Sequence, residues 1–341
     1  MLIISPILEK HSAEHLYRNF QLFSTLKSVI MKRISEAYSR YFTKTKVFVK
    51  FLELLRKKRS VCEVSRSCFE KDTTFGRMTN MLDQIKDSIA QAQLVLVGIG
   101  SEFAQKFDEM KEDAFYAPLI EQAQQEENAE QLIQYLQFHY VKRHGDRKIV
   151  EAYNRLAKLL EGKNYFVVSL CTDDLIFDSA LDAAKIVTPC GGFRAMQCMK
   201  ECVTDQEALV SDENVMNALL ESIDNCGGDL NAVDFPVCAE CTKPLWFNQI
   251  SAPDYKEEGY LEQWQLYTKW LQGTMNRNLC ILELGVGMQF PQVIRFPFEK
   301  VGYFNNKAKF FRVHSRLYQL TEELKDKGTA IAQNPVDFLN G

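Results

Sequence analysis

Four short apolar runs, spaced through the chain with helical or irregular sequence between them, constrain this fold more than any other feature. Leu94-Val95-Leu96-Val97 runs straight into Gly98, and Tyr165-Phe166-Val167-Val168-Ser169-Leu170 repeats the pattern. Leu279–Leu284 ends at Gly285, and Lys309–Val313 closes the series. Runs this short, with no polar alternation, read as strands buried on both faces, the habit of parallel sheets. Helical patterns fill residues 102–160, so the alternation predicts an α/β class with a doubly wound parallel sheet. A closing helix is expected to begin over Leu317–Leu324.

Residues 1–77 follow a different rule. They hold one glycine and one proline, so little interrupts a helical pattern, and 16 Lys+Arg stand against 7 Asp+Glu. That gives this stretch +9 while the remainder carries −13, within a whole-chain charge of −4. Val47, Phe48, Phe51, Leu52, Leu54 and Leu55 form an apolar stripe that runs into Arg56-Lys57-Lys58-Arg59. Such a helix can meet an anionic partner or surface, or it can be a helical N-terminal extension packed on the body with its charges solvated. From Met78 a clean amphipathic pattern (Met81, Ile85, Ile89, Ala92) leads into the first strand, so the body is expected to begin near there. No run reaches the roughly 18 apolar residues of a transmembrane segment. The apolar start lacks the order of a secretion signal, and the expected location is cytoplasmic.

The chain has ten cysteines, which in a reducing compartment serve as metal ligands, buried thiols or reactive thiols rather than disulfides. Cys198 and Cys202 are spaced C-x3-C, and Cys238 and Cys241 are spaced C-x2-C inside Pro236–Pro244. Two close pairs with a tight turn can supply four thiolates to a tetrahedral zinc. With all four positions filled by protein, that zinc is structural. The other reading is four unrelated thiols. The cysteine-bearing stretch interrupts the strand–helix alternation and reads as an inserted module.

Gly98-Ile99-Gly100 after the first strand, and Gly285-Val286-Gly287 after the third, put glycine loops at the carboxyl ends of parallel strands. An α/β sheet binds ligands there, and bare backbone can approach a pyrophosphate. At this point the residues resemble the sirtuins, closest to the macrodomain-linked class M branch. Four blocks carry the resemblance: Leu94–Gly100; Tyr165–Ile186, YFVVSLCTDDLIFDSALDAAKI; Gly191–Cys202 with the later Cys238 and Cys241; and Ile281–Phe298, ILELGVGMQFPQVIRFPF. The resemblance covers about residues 92–335. It implies a sirtuin-like domain over 78–341, with a Rossmann-like part at 92–189 and 275–335 and a small zinc module at about 190–250.

The resemblance also implies NAD as cofactor, bound between the two parts, and transfer chemistry at the nicotinamide ribose. In class M the activity is protein ADP-ribosyl transfer, which implies a protein substrate. Gly98 and Gly100 match the phosphate-loop glycines, and Gly285 and Gly287 match the later loop. Asp173 matches the aspartate that holds the nicotinamide amide, and Arg295 matches the class M arginine. Other positions depart from the pattern. The family's loop alanine is Ile99 here and its loop serine is Glu102, a carboxylate that repels a pyrophosphate unless it points away. The asparagine that positions water or ribose is Cys171. The catalytic histidine, a glutamine in class M, is Cys190. The asparagine toward the adenosine ribose is His314.

A neutral thiol is a poor general base near pH 7, whereas a thiolate lowered by its surroundings can serve. Cys190 can thus be a base, a nucleophile, an ADP-ribose acceptor or an inert pocket thiol. Three functions remain open: an ADP-ribosyltransferase with an altered site, a catalytically silent module that binds NAD, ADP-ribose or protein, and an NAD-dependent deacylase. His144-Gly145 matches the sirtuin His-Gly pair in letters only, because it precedes the second strand. Glu283, inside an apolar strand, needs a buried partner. Tyr260, Trp264 and Tyr267 have helical spacing and read as core packing ahead of a stacking platform.

Overall fold

The computed structural model describes residues 70–198 and 209–341. Residues 1–69, which hold most of the basic extension and its apolar stripe, and Cys202 lie outside the described residues. Helix α1 (Glu70–Gln91) leads into strand β1 (Leu94–Ile99), followed by helices α2 (Tyr116–Ala123), α3 (Ala129–His144) and α4 (Arg147–Leu159). Strands β2 (Asn164–Ser169) and β3 (Ile186–Val187) come next. Then the chain leaves the main sheet for β4 (Gly191–Gln197), β5 (Leu209–Val210), α5 (Glu213–Asp224) and β6 (Trp246–Gln249). Helix α6 (Glu258–Gln272) returns it to β7 (Leu279–Leu284), α7 (Arg295–Phe304), β8 (Ala308–Val313), β9 (Gly328–Ile331) and α8 (Pro335–Asn340).

The main sheet is six-stranded in the order β3-β2-β1-β7-β8-β9, and every pairing is parallel. The apolar runs are buried on both faces because successive side chains alternate between two cores. Val95, Val97, Cys280, Leu282 and Val313 face one core; Leu94, Leu96, Leu279, Ile281 and Phe310 face the other. Helices α2, α3 and α4 cover the first core, and α6 and α7 cover the second through Tyr267 and Phe298. Burying one such side chain contributes roughly 1.5–3 kcal/mol.

Two neighbours flank β1, and the chain reaches them by different routes. It moves from β1 outward to β2 and β3, then returns to the other side of β1 as β7. The strand order therefore reverses between β1 and β7, and a crevice opens at their carboxyl ends. The inserted stretch forms its own three-stranded antiparallel sheet, ordered β5-β4-β6. It is tied to the body by polar contacts. His139 on α3 joins Tyr116 on α2 at 2.7 Å and Asp224 on α5 at 2.8 Å.

Glu283 finds its partner on the next strand. Arg312 Nε donates to its carboxylate, and both side chains are fully buried. Arg312 also donates to Glu299 Oε1 at 2.8 Å and to the Gln319 carbonyl at 2.8 Å.

The closing helix expected from Leu317 does not form. Residues 317–321 are irregular and only Glu322–Leu324 make a 3-10 turn. The physical reason is competition for carbonyls: those of Leu317 and Gln319 accept from Arg295 and Arg312 instead of from a following helical turn. The terminal helix is α8, which starts where Asn334 accepts from the Val336 and Asp337 amides. Among the described residues no helix is long and apolar enough to cross a membrane.

Candidate functional site

The loops after β1, β2, β7 and β8 meet at the crevice, and each is fastened to its neighbours. The Gly100 amide donates to the Leu284 carbonyl at 2.9 Å, and the Gly285 amide to the Val313 carbonyl at 2.8 Å. A Cβ on Gly100 would overlap the Gly285 carbonyl oxygen, and one on Gly98 would stand 2.9 Å from the Phe298 ring. These two glycines are required by protein packing. Gly285 has φ 66°, a left-handed conformation that glycine adopts without strain. Gly287 differs, because a Cβ there would meet only Ser101 Oγ at 3.7 Å and His314 Nε2 at 3.9 Å. Its bare backbone faces a small polar niche.

Asp173 and Arg295 are both engaged with backbone. Asp173 accepts from the Gln105 amide at 2.8 Å and the Leu175 amide at 3.0 Å, joining the first loop to the second. Burial raises its pKa, and those two amides pull it back. Arg295 is buried and donates to the Val286 carbonyl at 2.8 Å and the Leu317 carbonyl at 2.8 Å. It clamps the β7 loop to the segment that follows β8.

A cleft of about 250 Å³ opens beside this frame, lined by Ser101, Cys171, Cys190, Gln249, Gly287 and Phe290. The structure thus brings together Cys171, Cys190 and Gly287, while Gly98 lies below the cleft under α7. The Cys171 thiol donates to the Gly100 carbonyl at 3.4 Å. Burial, with Asp173 adding to it, pushes its pKa well above the ordinary thiol value. Cys190 is pushed up to about 11 by burial alone. Both are neutral thiols near pH 7.

His314 has a fixed tautomer. Its Nδ1 accepts from the Arg316 and Leu317 amides, each at 3.1 Å, so the proton sits on Nε2, which faces the niche as a donor. Glu102 Oε1 lies 3.2 Å from Nδ1. With the lone pair on that nitrogen already used by two amides, this approach is not a charge-assisted hydrogen bond. Burial lowers the His314 pKa, with Glu102 acting in the opposite sense.

Three cysteines form a second centre on the small sheet. The sulfurs of Cys198, Cys238 and Cys241 all lie within 4.8 Å of one another, and Cys198 and Cys241 are 3.3 Å apart. Zinc–sulfur bonds of about 2.3 Å in a tetrahedron put sulfurs just under 4 Å apart, so this triad suits a tetrahedral metal. Cys238 and Cys241 sit in a tight turn closed by the Cys238 amide to the Lys243 carbonyl, 2.8 Å, and the Thr242 amide to the Cys238 carbonyl, 2.9 Å.

The sequence did not single out Asp174. It adopts φ 62° and accepts from the Phe193 amide, and a side chain on Gly192 would collide with its carboxylate. Burial pushes its pKa up to about 7. The Asp173-Asp174 pair was the available signal. His144 is the last residue of α3 and packs edge-on against Tyr116. Trp264 and Tyr267 pack at 5.3 Å beneath the main sheet. Core packing is the role that the sequence favoured for Trp264 and Tyr267.

No family model matches the chain. It is similar to a protein ADP-ribosyltransferase of Staphylococcus aureus strain Mu50, 21% identical over 53% of this chain and 57% of that protein. It is also similar to a probable bifunctional ADP-ribose hydrolase/ADP-ribosyltransferase of Fusarium oxysporum f. sp. cubense, 30% identical over 45% of this chain and 26% of that protein. The matched regions therefore span about half and a quarter of these relatives. A solved structure of Sir2Tm bound to a propionylated peptide aligns with a TM-score of 0.41, at 16% identity, over 77% of this chain and 96% of that one.

Proposed function

We propose that this chain binds NAD or ADP-ribose in the crevice between β1 and β7 and acts as a class M-like protein ADP-ribosyltransferase with an altered site. The observation that carries the reading is the niche at Gly287, where bare backbone faces the Ser101 hydroxyl and the Nε2 proton of His314. Those donors suit phosphate or ribose oxygens, so the residues fit the cofactor. The names of the two curated relatives support the same chemistry. When bound, NAD supplies an electrophilic ribose carbon with nicotinamide as the leaving group.

The chain's own residues bind and position. The Gly285–Gly287 loop, Ser101 and His314 would hold the phosphate and ribose portion on the frame set by Gly98 and Gly100. Asp173 would orient the nicotinamide amide with the lone pairs its two amides leave. Arg295 is a positioning residue that fixes the β7 loop. Neither Cys171 nor Cys190 takes a proton at neutral pH, which disfavours deacylation. It also favours a second reading: a silent module that binds ADP-ribose without turnover. Cys198, Cys238 and Cys241 would hold a structural zinc, completed by Cys202, and reduced thiols suit a cytoplasmic setting.

The test is incubation of pure full-length chain with NAD labelled in the adenosine half, alongside calorimetry with ADP-ribose. Transfer predicts nicotinamide release and labelled protein. Binding without either product leaves the silent module. Absence of binding to both ligands removes both readings.

A further inference from the structure

Glu102 places a carboxylate where the loops meet. It follows Gly100-Ser101 in the first loop, and its amide donates to the Gly285 carbonyl at 3.4 Å. Its side chain crosses to the segment after β8. There Oε2 accepts from the Ser315 amide at 3.0 Å, and Oε1 accepts from the Ser315 hydroxyl. Gly285 makes room for the crossing, since a Cβ there would come within 2.7 Å of Glu102 Cβ. The Glu102 side chain is 17% exposed, and its Oε1 lies 3.2 Å from Nδ1 of His314, the residue whose Nε2 faces the niche at Gly287.

A backbone amide and a hydroxyl at the carboxyl end of a strand are the donors that a phosphate oxygen seeks in such a sheet. Here the chain's own carboxylate already holds them. We propose that Glu102 is a resident anion of this site, competing with the phosphate groups of an incoming dinucleotide and setting a preference for ligands that carry less charge at that point. This rests on the NAD or ADP-ribose reading and specifies its regulation. Two anions a few ångström apart in a crevice of reduced dielectric repel each other, so the ligand must displace the side chain or bind weakly. Neutral parts of the ligand, such as the adenosine moiety, meet no such opposition.

The experiment is calorimetry on the full chain with adenosine, ADP-ribose and NAD, comparing wild type with Glu102→Gln and Glu102→Ser. Both variants remove the charge. Gln keeps the length and a carbonyl for the Ser315 amide, while Ser opens the space. Circular dichroism melts confirm that each variant is folded, and either folded variant suffices. The expected result is about a tenfold or larger gain in affinity for ADP-ribose and NAD, with adenosine unchanged within roughly threefold. Equal ADP-ribose affinity in wild type and variants overturns the resident-anion proposal and leaves the binding reading intact. Weaker ADP-ribose binding in the variants also overturns it, because Glu102 is then a ligand-holding or loop-holding group. No binding of any nucleotide by either folded variant overturns both.

Discussion

Cys190 stands where the resemblance calls for a base, and its surroundings make it an acid that keeps its proton. Burial is the cause. The folded pKa of about 11 lies above the unfolded value near 9. Between those pH values the folded state binds more protons, so stability is full below pH 9 and is lost as pH rises toward 11. Two pKa units correspond to about 2–3 kcal/mol. Urea unfolding of Cys190→Ala is therefore expected to show a shallower decline than wild type between about pH 9 and 11. Parallel declines would mean the thiol is not the titrating group. At this scale the sequence was only partly legible. The resemblance set Cys190 against the family's histidine, a glutamine in class M, and left open whether the sulfur was thiol or thiolate. That answer depends on burial by distant residues. The same applies to Gly98 and Gly100, read as making room for a pyrophosphate. Gly98 makes room for Ile294 and Phe298, and Gly100 for Gly285, all far along the chain.

Pairing between β7 and β8 shows what an element adds to its residues. The register sets Glu283 beside Arg312 in the centre of an otherwise apolar sheet. Burial pushes the Glu283 carboxyl up, and Arg312 opposes that push. Removing one partner of a buried pair leaves an uncompensated polar group and typically costs about 3–5 kcal/mol. Arg312→Leu is expected to lose stability of that order in chemical denaturation, and Glu283→Leu added to it should recover part of the loss. A cost below about 1 kcal/mol for the single variant would show that the pair is dispensable. Strand identities were legible because an unbroken apolar run in an alternating pattern has few other uses. The partner of Glu283 was not, because strand register is a tertiary property. Leu317–Leu324 illustrates the opposite error. Leu317, Leu320 and Leu324 have helical spacing, yet the carbonyls a helix needs are held by Arg295 and Arg312.

Across the whole molecule, the small sheet forms one side of the cleft that the large sheet opens. Cys190 and Gln249 belong to the cleft, and they join β4 and β6 to it through the Ile250 amide on the Cys190 carbonyl at 2.9 Å and Gln249 on the Thr172 carbonyl at 3.3 Å. The three-thiol cluster lies on the same small sheet, with Cys198 at the end of β4 and the turn of Cys238 and Cys241 just before β6. The paired spacing pointed to three of these thiols, while Cys202 lies outside the described residues. If a metal holds that junction, its removal should loosen one wall of the cleft while leaving the six-stranded sheet standing. Freshly purified chain is expected to contain one zinc, and Cys238→Ser to contain less than about half as much. Stripping the metal should lower the melting temperature by about 2–4 °C for each kcal/mol lost. It should also weaken ADP-ribose binding, with the sheet's circular dichroism retained at low temperature. Zinc-free protein with an undiminished melting temperature would instead make the cluster three packed thiols, and the wall of the cleft would then rest on hydrogen bonds and aromatic packing such as Phe193 against Phe247 at 4.9 Å.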